Sequence, residues 1–556
     1  MVVGTKMTIQ QVPSKGRISI MKIQNFTVHR RNSVIRTLYG VFLILISVAM
    51  ISTNPLEYFT KKFLEVSEGS FVFKMWETPT YQLYSEVWVY NYTNVPEFLS
   101  GEDKTLKLKE IGPFRFQETR TNHNMSVNAD EGTMFMKPNI TLKFLREESV
   151  ADIKDIHVYV PNMALLAIST LVADKLGYFA NAGAYYSINT LGSKLFRNLT
   201  VEELFWGYED PMVTIASGLL PGWIDFKKIG VLDRFYAQRD ASAVVELRDA
   251  NTRFSLRTWD GSEGLVEQGF TDLNSSTLCN RIKGSYEGLM LPPNVRKDRV
   301  IPIFRRQACR VYPFAFKEET NEKYGYNYYR FAMEQSAMSN TSAYACKCST
   351  NCLPNGFVDV SRCYYGFPIA LSKPHFLDTD PQQQSYYEGM RPDPVKHSSI
   401  LELEPTVGVP LSLSSKIQVN IAVRTSPGNP ITRPFKDKMV PLMWLSLYCK
   451  EPPPEVANLL KLRFIVAPPL FIAIEVLLFI VGIILCGQGI FRLLRPKYEL
   501  VESKSENDDL EIKKSTAIVN IVDNSVFKDD DDLAKEAVLL MSVDDDDSEL
   551  GLRRAA

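Results

Sequence analysis

The sequence predicts an α+β membrane protein: a β-rich ectodomain of about 410 residues with a helical insertion, anchored by one transmembrane helix near each end. Three observations predict it. Two long apolar segments lie near the chain ends, positive charge gathers beside both, and the N-glycosylation sequons cluster between them.

The first apolar segment runs from Thr37 to Thr53 and the second from Phe464 to Cys486, 17 and 23 residues. About 20 apolar residues are needed to cross a bilayer, so both can span it. Residues 1–36 contain seven Lys or Arg and no Asp or Glu, and Arg492, Arg495 and Lys497 follow the second segment. Positive residues beside a span stay in the cytoplasm, which puts both ends inside. Lys461 and Arg463, on the other side of the second segment, run against that trend. A cleaved signal peptide is the rival reading of the first segment, with Ser47 and Ala49 near a cut site. The long basic lead-in favours an uncleaved anchor. The predicted order is a basic tail (1–36), a span (37–53), the ectodomain (54–463), a second span (464–486) and an acidic tail (487–556).

Asn-x-Ser/Thr sequons occur at Asn91, Asn124, Asn139, Asn198, Asn274 and Asn340, all between the spans. Glycosylation needs a lumenal surface, so these six agree with the hairpin topology. Asn25 fits the pattern too, but faces the cytoplasm on this topology.

The net charge of −1 conceals an asymmetry. The N-terminal tail carries +7, and from Tyr498 onward 17 acidic residues face 7 basic ones. The stretch between is close to neutral, which argues against nucleic acid as a partner. With 45% hydrophobic residues over the whole chain, the ectodomain can bury a large core.

Six of the eight cysteines cluster in the ectodomain: Cys279, Cys309, Cys346, Cys348, Cys352 and Cys363. In an oxidising compartment they favour three disulfides, and the spacing leaves the pairing open. A metal centre on Cys346, Cys348 and Cys352 is the rival, but C-x-C-x3-C is not a usual zinc spacing and no histidine lies near. No metal or cofactor is assigned. Cys449 has no evident partner. Cys486, ending the second span, is either a palmitoylation site or a small apolar helix residue.

Along the ectodomain, Glu86–Thr93, Thr105–Ile111 and Lys416–Val423 alternate with period two and read as strands. From Met163 to Phe205 apolar residues recur at helical spacing, and Thr200 with Glu203 reads as a capping box. The tail after Lys497, with Asp529–Asp532 and Asp544–Asp547, lacks the apolar surface to fold and reads as disordered. There is no H-E-x-x-H, G-x-S-x-G or P-loop, so no enzyme is predicted.

These landmarks resemble the class B scavenger receptors, which include the fatty acid translocase, the lysosomal integral membrane protein, and insect croquemort-like and sensory-neuron membrane proteins. The sharpest marker is Glu203-Leu204-Phe205-Trp206-Gly207-Tyr208-Glu209-Asp210-Pro211, close to the family's E-L-L-W-G-Y-x-D-P. Asn54-Pro55, Ile111-Gly112-Pro113-Phe114, Pro374-His375-Phe376-Leu377 and Leu403-Glu404-Pro405-Thr406-Val407-Gly408 add to it in order, and the resemblance runs from about Arg36 to Lys497. It implies an antiparallel β-barrel-like ectodomain with a helical bundle cap (about 150–211) and an internal hydrophobic tunnel. It also implies the disulfides Cys279–Cys346, Cys309–Cys363 and Cys348–Cys352 within a region from 279 to 363. Partners implied are lipids or lipoprotein-like particles and the membrane. Family members that bind anionic ligands have lysines in the cap, where this chain has Thr190 and Gly192, with Lys175 and Lys194 out of register. Ligand type is therefore not carried over, and no ligand-binding residue is assigned. The N-terminal tail lacks the cysteines that some relatives acylate.

Glu475 lies at the centre of the second span, where a charge costs on the order of 3 kcal/mol, so it reads as protonated or paired. It is a candidate tie between the two spans, through Ser47, or between two copies of the chain in a homo-oligomer. Pro468 and Pro469 predict a kink at the outer end of this span. Tyr498-Glu499-Leu500-Val501 fits the Y-x-x-Φ sorting pattern, and Leu539-Leu540 resembles a dileucine signal, with Lys535 at the favoured acidic position. Both would be read by clathrin adaptors, giving a protein of the plasma membrane and the endosomal or lysosomal membrane. The leading reading is a lipid-handling receptor. A trafficking receptor that grips a lumenal protein cargo with its cap is the second, and an adhesion protein without a tunnel the third.

Overall fold

The computed structural model describes residues 24–214, 226–237, 240–346, 348, 351–494, 498–502, 517–520 and 551–553. The chain divides into two compact units: Phe59–Ile465, and Met1–Tyr58 together with Val466–Ala556.

The larger unit is built on one antiparallel sheet. Eleven of its strands lie on a single path: β1 (Leu83–Tyr92), β2 (Leu106–Asn128), β3 (Thr133–Phe144), β4 (Ala243–Glu246), β5 (Leu256–Trp259), β6 (Ile301–Arg305), β7 (Arg310–Thr320), β8 (Tyr328–Met333), β9 (Ile400–Glu404), β10 (Val409–Ala422) and β11 (Met439–Cys449). Their order is β6-β7-β8-β9-β10-β11-β1-β2-β3-β4-β5. The two ends share one bridging segment. Leu256 of β5 donates to the Ser285 carbonyl (2.7 Å), while Tyr286 donates to Pro302 and Phe304 of β6 donates back to Tyr286 (both 2.8 Å). The short segment Gly284–Tyr286 thus bonds to one end of the path through Gly284 and Ser285 and to the other through Tyr286.

Alternation in the sequence becomes alternation in burial. Along β1, Leu83, Ser85, Val87 and Val89 are buried with half-buried residues between. The run Met439–Cys449 is buried at every position and central on the path, paired with β10 and β1. Trp88 and Trp444 stack face to face across that pairing, 3.8 Å between centroids. Where β2 passes the same Trp88, a Cβ on Gly112 would come within 2.7 Å of the indole, which explains a glycine in Ile111-Gly112-Pro113-Phe114.

The helical insertion is a hairpin, α1 (Met163–Lys175) and α2 (Tyr178–Thr190), followed by the short α3 (Val201–Trp206). It departs from the unbroken helical pattern read in the sequence. Phe196–Thr200 is a strand that pairs antiparallel with His157–Pro161, with Phe196 and Leu199 buried. The Thr200 hydroxyl accepts from the Glu203 amide (3.1 Å) and the Glu203 carboxylate accepts from the Thr200 amide (2.8 Å), a complete capping box. Asp210, at the end of the marker motif, is fully buried and accepts from Asn162 (3.0 Å), Arg197 (3.1 Å) and the Met212 amide (2.9 Å). One carboxylate thereby joins the start of the hairpin, its return strand and the helical turn that follows.

In the second unit two long apolar helices, Gln24–Thr53 and Ala467–Leu494, pack together. Both reach beyond the apolar segments, through Arg30, Arg31 and Arg36 in one and Arg492 in the other. Backbone hydrogen bonds propagate a helix past the residues that lipid would cover. Glycines let the two helices approach closely. A Cβ on Gly482 would meet Ile44 at 2.7 Å and the Gly40 carbonyl at 2.8 Å, and one on Gly489 would meet Thr37 at 2.1 Å. Small residues at such contacts let apolar helices approach closely. A π-helical turn (Leu462–Val466) immediately precedes Pro468 and Pro469, the kind of local irregularity expected where prolines remove N–H donors from a helix.

The tail read as disordered contains three short described strands. Tyr498–Glu502 pairs antiparallel with Ala517–Asn520 and with Gly551–Arg553. The first two segments, YELVE and AIVN, are β-prone patches of an otherwise acidic tail.

Candidate ligand site

Seven of the eleven strands converge on a cavity of about 80 Å3 in the larger unit. Its apolar walls come from Leu83 of β1, Ile140 of β3, Trp259 of β5, Phe304 of β6 and Leu411 of β10, with Leu289 from the loop after the bridging segment. That volume holds two or three waters or one small polar head. A wider concavity of about 530 Å3, lined by Val295, Arg296, Lys297, Asp298, Tyr329 and Pro405, is open to solvent.

Four charged residues also face the inner cavity: Arg120, Glu287, Arg305 and Arg306. Arg120 donates to Glu118 at 2.6 Å, and Tyr236 donates to the other oxygen of that carboxylate at 3.1 Å. Arg305 is only 8% exposed. Its Nη1 donates to the Glu287 carbonyl at 3.3 Å, and its Nε and Nη2 have no hydrogen-bond partner among the described residues. Burial, helped by the charge of Arg120, pushes the Arg305 guanidinium down to about 10. Burial raises the Glu287 carboxyl above its usual range.

A second buried cluster surrounds Pro374-His375-Phe376-Leu377. The His375 amide donates to Gln418 (2.7 Å), whose same oxygen accepts from Tyr90 (2.8 Å). His375 Nδ1 accepts from the Arg391 amide (3.1 Å), which leaves the Nε2 proton to donate to Glu110 at 2.6 Å. Trp444 donates to the same Glu110 oxygen at 2.9 Å. Burial works to raise the Glu110 carboxyl, but these two hydrogen bonds outweigh it and hold it below the usual range. His397 stacks on His375, 4.5 Å between centroids, and is fully buried. Burial first, then the neighbouring His375, push it down to about 4.

The cysteines lie together as Cys279–Cys346, Cys309–Cys363 and Cys348–Cys352, with Cα separations of 5.2, 6.5 and 5.7 Å. The three sulfurs weighed as a metal centre are thus all bonded to cysteine. Cys449 is buried and donates to the Glu451 carbonyl. Of the sequon asparagines, Asn124, Asn198, Asn274 and Asn340 are exposed. Asn91 and Asn139 are half-buried, and Asn91 accepts from the Tyr159 amide. Ser47 donates to the backbone carbonyl of Glu475 (3.0 Å), not to its carboxylate. The Cys486 thiol points at the first apolar helix and donates to the Thr37 carbonyl (3.5 Å). Tyr498 and Val501 lie on a described strand, while Leu539 and Leu540 lie outside the described residues. On the hairpin, Phe179 is 89% exposed and Tyr186 73%.

The sequence reading named no cavity residue and so missed Arg305. A signal exists. In Ile301-Pro302-Ile303-Phe304-Arg305, the period of two puts Arg305 on the buried face with Ile301 and Ile303.

The sequence profile of the CD36 family matches residues 37–493. Scavenger receptor class B member 1 of Rattus norvegicus is 29% identical over 73% of this chain and 77% of its own. Lysosome membrane protein 2 of Homo sapiens is 27% identical over 72% and 81%, and protein peste of Drosophila melanogaster 26% over 72% and 71%.

Proposed function

The chain belongs to the CD36 family, and from that premise we propose that it is a scavenger-type receptor that takes hydrophobic ligand into the interior of its sheet and passes it toward the membrane. The observation that carries this reading is the apolar cavity on which seven strands converge. An acyl chain in water costs about 0.8 kcal/mol for each exposed CH2, and a dry path between apolar walls removes that cost without any catalytic residue. At about 80 Å3 the cavity must widen for a chain to follow its head. Two apolar helices fit an anchor at both ends of the body, with both termini cytoplasmic. Tyr498–Val501 and Leu539–Leu540 would engage clathrin adaptors and cycle the receptor between the plasma membrane and lysosomes.

The secreted body, residues 59–465, tests the reading, since it is a compact unit with its own core. Extracted and analysed by mass spectrometry, it is expected to release lipid in near-stoichiometric amount. A lipid-free body would count against uptake. A second reading, a trafficking receptor for a lumenal protein, is favoured by one observation: Phe179 and Tyr186 face solvent on α2. A lumenal protein co-purifying with a lipid-free body would support it.

A further inference from the structure

We propose that Arg305 anchors the oxyanion head of a long-chain amphiphile inside the sheet. This rests on the lipid reading above and assigns the contact with a charged head to one side chain of this protein.

Buried polar groups are nearly always hydrogen-bonded, and buried charges nearly always paired. Arg305 departs from both rules. It is nine-tenths buried, yet among the described residues Nε and Nη2 have no partner and no carboxylate lies within ion-pair distance of it. The nearby acids are otherwise placed. Glu118 is taken by Arg120 and Tyr236, and Glu287 meets Arg305 through its backbone carbonyl. The cavity lining therefore holds more positive than negative charge, with Arg120, Arg305 and Arg306 against Glu287.

The two unpartnered nitrogens specify the missing ligand. Nε and Nη2 lie on one edge of the guanidinium, with parallel N–H bonds at the spacing of the two oxygens of a carboxylate or phosphate. Nη1, the nitrogen off that edge, is the one already used by the protein. Gly288 flanks Nη2 without a side chain, and a Cβ there would sit 3.7 Å from it. The cavity volume suits a head and not a tail, and Phe304, Leu289 and Leu411 give the adjoining methylenes an apolar wall. A free small anion would satisfy the same edge, so the tail must be tested along with the charge.

The test uses the full chain, stripped of lipid in detergent and read by native mass spectrometry. Three probes are titrated: a long-chain carboxylate, its methyl ester, and acetate as a competitor. The carboxylate is expected to bind at least tenfold more tightly than the ester. Arg305→Gln should abolish that preference while leaving ester binding unchanged, Arg305→Lys should keep only part of it, and acetate should displace neither. Equal binding of carboxylate and ester by the unmodified chain overturns the proposal and leaves the lipid reading standing. So does an Arg305→Gln chain that folds, judged by its melting curve, and still prefers the carboxylate. Acetate competing on equal terms overturns the assignment to a lipid head. Failure of both long-chain probes to bind overturns this proposal and the lipid reading together.

Discussion

His397 stacks on His375 with the Asp393 backbone amide donating to its Nδ1 and its Nε2 buried without a partner among the described residues, so a second proton has nowhere favourable to go. Glu110 and Asp393 favour the charged form, but burial, with the neighbouring His375 and Lys396, outweighs them and holds the group at about 4. An unfolded histidine titrates near 6.5, so between those values the unfolded chain binds more protons and stability falls as pH falls. Glu110 adds to the loss at lower pH, since a carboxyl held below its usual range stabilises only while ionised. His397→Phe should flatten the decline between pH 6.5 and pH 4.5 by about 1–2 kcal/mol, read from chemical denaturation at each pH. An unchanged slope would mean that other groups set it. Thr200 serves twice, as helix cap and as the third residue of the Asn198 sequon. Thr200→Ala should cost about 1 kcal/mol and one glycan, whereas Asn198→Gln should cost the glycan alone. Equal melting points for the two variants would remove the cap from the account.

At the scale of elements, legibility followed periodicity. Glu86–Thr93 and Thr105–Ile111 fall in β1 and β2, each with a more exposed face, while Lys416–Val423 falls in β10, where Gln418 and Asn420 alternate with apolar residues yet are buried and hydrogen-bonded. β11 escaped because a strand buried throughout reads as a continuous apolar run, with no period to detect. The bridging segment Gly284–Tyr286 escaped for another reason: three residues joining two sheet ends have no pattern of their own. Arg305 was legible only once Ile301-Pro302-Ile303 was known to be a strand with a buried face. The apolar helices were legible by length, and their contact was not, since Gly40 and Gly482 meet across more than four hundred residues of sequence. That contact can be tested within one helix. Gly482→Leu should weaken the pairing by about 1–2 kcal/mol and lower the crosslinking yield between cysteines placed in the two helices. Gly487→Leu should leave it unchanged, because a Cβ there meets nothing within 4 Å. Equal effects of the two would refute the packing face.

The whole molecule combines a folded body, two apolar helices and an acidic tail with two candidate addresses. If the tail drives internalisation, Tyr498→Ala with Leu539→Ala and Leu540→Ala should raise the surface fraction at least twofold by biotinylation, and an unchanged fraction would leave those motifs without a role. On the proposed reading, ligand uptake depends instead on the interior of the sheet. The most direct measurement is photolabelling of the intact receptor in membranes with a long-chain lipid bearing a photoreactive group, followed by peptide mapping. The account predicts adducts on Leu289, Phe304 or Leu411, inside the sheet and lost on competition with unlabelled lipid. Adducts confined to the two apolar helices and the outer surface would contradict it.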